Sequence, residues 1–66
     1  MRENLINLRK KRGYTQLEIA AKIGTSQRNY QRLEAGTSKG SVGLWEKLKE
    51  ILHAKSIDWL LEQPAK

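Results

Sequence analysis

Apolar positions recur along the chain at offsets of three and four, the spacing of helices packed by one face. A first helix is predicted over residues 2–12, with Leu5, Leu8, Arg9 and Arg12 on one side. Gly13 stops it, and the run Arg9-Lys10-Lys11-Arg12 suits the negative end of the helix dipole. Thr15-Gln16-Leu17-Glu18 has the form of a capping box, in which the threonine oxygen takes an orphan amide and the glutamate reaches back. It opens a second helix, expected to turn Leu17, Ala20 and Ala21 inward and to end at Gly24.

A third helix follows after only Gly24-Thr25-Ser26, with Ser26 as its N-cap. Tyr30, Leu33 and Glu34 share one face, while Gln27, Arg28, Gln31 and Arg32 project from the others, and Gly36 closes it. The polar stretch 37–41 reads as a loop softened by Gly40 and Gly43. A fourth helix is predicted over 42–52, with Leu44, Trp45, Leu48, Ile51 and Leu52 as a broad apolar stripe. Ser56 can cap a short fifth helix with Ile57, Leu60 and Leu61 inward. Trp59 falls on the opposite side of that helix, where it either packs against the first helix or belongs to a partner surface. The pattern gives an all-α, five-helix fold with one domain over 1–62, and residues 63–66 as a tail or the start of a linker.

With 66 residues and no cysteine, stability must come from a compact apolar core, without disulfide or thiolate metal site. The lone histidine, His53, has no ligand cluster around it in sequence, and no nucleophile–base–orienter set is legible. No metal, cofactor or catalytic activity is expected. No run approaches the roughly 18 apolar residues of a membrane span, and no signal-peptide pattern opens the chain. A cytoplasmic protein is the expectation.

Charge sharpens the picture. The formal net charge is +6, and all of the excess lies in residues 1–40, which carry nine Lys/Arg against three Glu. Residues 41–66 are balanced. That asymmetry points to a polyanion footprint on the first two-thirds of the chain. Two short helices joined by a three-residue glycine turn let the second protrude. Its free face offers Arg, which matches guanine in the major groove, and Gln, which can both donate to and accept from adenine.

The stretch from Gly13 to Gln27, continuing to Arg32-Leu33-Glu34-Ala35-Gly36, resembles the Cro/cI-type (XRE family) helix-turn-helix of lambdoid phage repressors. The ending Ile57-Asp58-Trp59-Leu60-Leu61 resembles that family's fifth helix. The resemblance implies a lambda-repressor-like DNA-binding domain that regulates transcription, usually as a dimer on a palindromic operator. It implies base reading by Gln27, Arg28 and Arg32. Phosphate contacts fall to Gln16, Ser26, Asn29 and Lys39, with Gln16 also bracing the recognition helix. Arg9 and Glu34 match a frequent family pair tying the first helix to the end of the third. The chain departs from the pattern in lacking a proline in 37–41, in a link over 53–55 one residue longer than usual, and in Tyr30 where Ile or Val is commoner; the Tyr30 ring either is buried with its hydroxyl at the rim, the favoured reading, or leans toward DNA.

The function expected is therefore sequence-specific binding of double-stranded DNA by a regulator of phage, prophage or mobile-element type, most simply a repressor. The partner is a second copy, weakly held in free solution, with Trp59 at the contact. The alternative is an antitoxin that uses the same fold to bind a toxin protein as well as DNA.

Overall fold

The computed structural model describes residues 1–63 and contains five helices and, among those residues, no strand: α1 (Glu3–Lys11), α2 (Gln16–Ile23), α3 (Gln27–Ala35), α4 (Val42–Leu52) and α5 (Ile57–Leu61). Of the expected tail, residues 64–66 lie outside the described residues. Gln63 lies inside them, with its side chain over Gly36 and 3.5 Å from the N-terminal nitrogen.

Short-range chemistry sets the helix ends. Thr15 Oγ1 accepts from the Glu18 amide at 3.1 Å and Glu18 Oε1 accepts from the Thr15 amide at 2.9 Å, which completes the capping box. Hydrogen bonding from Thr15, its backbone amide first, holds the Glu18 carboxyl below its usual range. Ser26, Ser41 and Ser56 cap α3, α4 and α5 by the serine oxygen alone, which accepts from the amides of Asn29, Leu44 and Trp59. Gly24 and Gly36 end α2 and α3 in the left-handed conformation, at φ of 80° and 84°. At the end of α4 that conformation falls on His53, at φ 56°, where a Cβ makes it costly.

One core joins all five helices. Leu5 and Leu8 of α1, Ile19, Ala20 and Ile23 of α2, Tyr30 and Leu33 of α3, Trp45, Leu48 and Leu52 of α4 and Leu60 of α5 are buried together. Tyr30 has its ring buried, as expected, but its hydroxyl does not reach the rim: it is enclosed with the ring.

Three further sequence expectations are corrected. On α2 the inward face is Ile19, Ala20 and Ile23, whereas Leu17 is 62% exposed and Ala21 is exposed. The helix carries two apolar arcs, and the one with two isoleucines has the larger surface to remove from water. Arg12 does not share the buried face of Leu5 and Leu8. It is exposed and reaches sideways to the Leu52 carbonyl, Nε to O 2.8 Å. Gly43 lies inside α4, and Gly40 does not soften its loop. At φ 67° its backbone passes so close to the core that a Cβ would meet Leu33 Cδ2 at 2.7 Å and Trp45 Nε1 at 3.0 Å.

Candidate nucleic-acid interface

The face of α3 turned away from the core is polar from Gln27 to Arg32. Tyr30, Leu33 and Glu34 anchor the helix inward, and Gln27, Arg28, Asn29, Gln31 and Arg32 are all exposed. The inward anchor continues into a hydrogen-bonded chain. Arg9 Nε donates to Glu34 Oε2 at 2.6 Å, with side-chain exposures of 9% and 5%. Arg9 Nη1 also donates to the Tyr14 carbonyl at 2.7 Å. Gln16 Nε2, at the first turn of α2, donates to the other Glu34 oxygen at 2.8 Å. Gln31 Nε2 donates in turn to Gln16 Oε1 at 3.2 Å. A path of polar contacts thus runs from α1 through α3 and α2 and back out to the exposed face of α3. Tyr30 packs beside it: burial and the negative Glu34 push its phenol far above the usual range.

Ser26 and Asn29 are engaged with the turn itself. Ser26 Oγ accepts from the Asn29 amide at 3.2 Å, and Asn29 Nδ2 donates to Thr25 Oγ1 at 3.4 Å. The Ser26 hydroxyl hydrogen and the second Asn29 amide hydrogen have no partner among the described residues. Lys39 is exposed on the 37–41 loop, and its carbonyl accepts the Trp45 indole N–H at 2.6 Å. That bond, with Arg2 Nη1 to the Ser38 carbonyl at 2.8 Å, fixes the loop to the core beside α3.

The basic excess of residues 1–40 divides into two groups. Arg2 and Arg9 spend buried guanidinium groups on Leu33 and Ser38 and on Glu34 and Tyr14, while Arg12 stays exposed with its Nε on the Leu52 carbonyl. Lys10, Lys11, Lys22, Arg28, Arg32 and Lys39 remain exposed. Another cation enters from segment 41–66, whose charges balance in sequence. Lys47 of α4 stretches to the α2–α3 turn, its Nζ 3.9 Å from where a Cβ on Gly24 would stand. Sequence reasoning missed Arg2, Arg12 and Lys47, because each acts on a partner 23 or more residues away with no periodic signal to mark it.

Trp59 is half-buried against the core, its carbonyl accepting from Asn4 Nδ2 at 3.0 Å and its ring lying 5.6 Å from Lys55 Nζ. Around the N-terminal end of α4 an open groove is bounded by Val42, Trp45, Ile57 and Leu61, with Val42 73% exposed. Among the described residues no group of His, Cys, Asp and Glu gathers as metal ligands, and no helix is long and apolar enough to cross a membrane.

Two helices joined by a three-residue turn, the second presenting a polar cationic face, form the geometry of a helix-turn-helix. The profile of the helix-turn-helix family matches residues 5–60. The chain belongs to the Cro/cI-type (XRE) helix-turn-helix family. Searches of curated proteins and of solved structures give no significant match. The XRE family is a DNA-binding regulatory family rather than an enzyme family, and the match spans all of the core helices from Leu5 to Leu60.

Proposed function

We propose that this XRE-family domain is a transcriptional repressor of phage or mobile-element type, which lays α3 in the major groove and reads base edges through Gln27, Arg28 and Arg32. The observation that carries this reading is the exposed face of α3: two arginines and three amides on a helix whose other face is anchored in the core. Arginine is the residue that grips guanine by two hydrogen bonds, and a rigid helix holds it at a fixed angle. Gln16, Ser26, Asn29 and Lys39 flank that face and serve the phosphates. The Ser26 hydroxyl and Asn29 amide have hydrogens to give, and Lys39 supplies a charge on a fixed loop. Lys47 adds a further cation beside the turn.

The domain acts as a homodimer on a palindrome. One recognition helix reads too few base pairs to stand out among the million or more competing sites of a bacterial genome, and two helices about 34 Å apart double the readout. Segment 41–66, neutral overall, supplies the contact. Trp59 contributes the exposed part of its ring, and Val42 with the groove beside it offers further apolar surface. Such a contact is small, so the dimer forms on DNA and is weak in free solution, in the cytoplasm where the DNA lies.

Selection of bound duplexes from a random pool tests the reading. A recovered palindrome, bound two chains to one duplex and more tightly than its half-site, is the expected result. Recovery of no common sequence would overturn the repressor reading, and one chain bound to the full palindrome would overturn the dimer.

A further inference from the structure

The chain of contacts that ends at Gln31 has a fixed direction. Arg9 can only donate and the Glu34 carboxylate can only accept, so their pair leaves Glu34 Oε1 needing a donor. Gln16 must therefore turn its nitrogen to Glu34, at 2.8 Å, which faces its carbonyl oxygen the other way. That oxygen can only accept, so Gln31 meets it with its nitrogen, at 3.2 Å. An amide flip at either glutamine would set like against like. Gln31 is left with an uncommitted carbonyl oxygen and a second N–H, neither with a partner among the described residues.

We propose that Gln31 reads an adenine, its amide oriented by Gln16 and, through Gln16, by the buried Arg9–Glu34 pair. Adenine shows the major groove an N6–H donor beside an N7 acceptor, which fits an amide with one acceptor and one donor to spare; guanine shows two acceptors and repels the carbonyl oxygen. Gln31 is exposed on α3, four residues beyond Gln27 on the same stripe and adjacent to Arg32. Orientation in advance matters because a free glutamine loses rotamer freedom on binding, whereas this one is already held. Gln16 is a positioning residue in this scheme. The proposal rests on the DNA-reading function above and adds a base contact to it.

The experiment starts from the site that the wild-type chain selects. Each adenine in it is replaced in turn by 7-deazaadenine, which lacks the N7 acceptor, and binding is measured for the wild type, Gln31→Ala and Gln16→Ala. At one adenine the replacement is expected to weaken the wild type about 2- to 10-fold, the worth of one hydrogen bond, and to leave Gln31→Ala unaffected. Gln31→Ala is expected to bind the intact site about 5- to 150-fold more weakly and to lose base preference at that position alone. Gln16→Ala should flatten the same position and no other. If Gln31→Ala keeps the wild-type base profile, or loses affinity equally on random DNA, the proposal is overturned while the function stands. If the wild type selects no sequence, both are overturned.

Discussion

The guanidinium of Arg2 stands 5.1 Å from the centre of the Trp45 ring, while its Nη1 donates to the carbonyls of Leu33 at 2.7 Å and Ser38 at 2.8 Å. One side chain from the start of the chain thus ties the end of α3 to the 37–41 loop and to α4. It is 5% exposed, and burial draws its ionisation below the usual arginine range. Arg2→Ala should destabilise the fold by about 2–3 kcal/mol, since it strips a charged donor from two carbonyls. Denaturant unfolding measures this. A loss within about 0.5 kcal/mol, the range of ordinary surface changes, would show that the contacts are incidental.

Arg9 and Glu34 are expected to couple. Each alone is a nearly buried charge whose partner would be stranded by truncation, at a cost approaching about 3–5 kcal/mol. Arg9→Ala and Glu34→Ala should each destabilise strongly, and the double variant should lose much less than their sum. Additive losses in the double-mutant cycle would contradict the pairing.

Tyr30 should report at high pH. Its phenol is held neutral in the folded state, by burial first and by Glu34 second. The unfolded chain ionises this group above about pH 10, so its contribution to stability is complete below that pH and is lost progressively above it. Its hydroxyl has no hydrogen-bond partner among the described residues, so Tyr30→Phe should be neutral or stabilising by up to about 1 kcal/mol at pH 7. The gain should widen as pH rises past about 10. A variant that unfolds at lower pH than the wild type would show that the hydroxyl is satisfied.

His53 holds a left-handed cap with a side chain that gains nothing from it. His53→Gly is expected to raise stability by about 0.5–1 kcal/mol, with DNA affinity unchanged. A lower thermal midpoint would mean that the imidazole makes a compensating contact.

The helices and their caps were legible because their causes are local. Thr15 and Glu18 are three residues apart, Ser26 and Ser56 stand one residue before their helices, and Gly24 and Gly36 are obvious stops. The polar face of α3 could be read for the same reason, since period alone separates Arg28 and Arg32 from Tyr30 and Leu33. What could not be read depends on distances between helices. The Gln31–Gln16 contact joins residues 15 apart, and Gly40 is required by a close pass against Leu33 and Trp45. Leu17 misled for a different reason: hydrophobicity marks a residue as able to be buried, but only packing decides which of two apolar arcs is used. The charge of the first forty residues overstated the free cations, since Arg2 and Arg9 are buried as internal donors.

Salt dependence follows from that division. Each phosphate neutralised contributes close to one unit to the slope of log affinity against log salt. With Arg2 and Arg9 buried, the slope per chain should come from the exposed lysines and arginines alone, and a Lys39→Ala variant should lower it by about one on every duplex. An unchanged slope would place Lys39 away from the phosphates.

Sequence reading by the exposed face of α3 is tested most directly by comparing wild type, Arg28→Ala and Arg32→Ala on the selected site and on random duplex at one salt concentration. Each substitution is expected to cost about 1–3 kcal/mol on the selected site, to relax base preference at one position, and to cost much less on random DNA. Equal losses on both duplexes for both variants would make the arginines phosphate contacts and contradict base reading by α3.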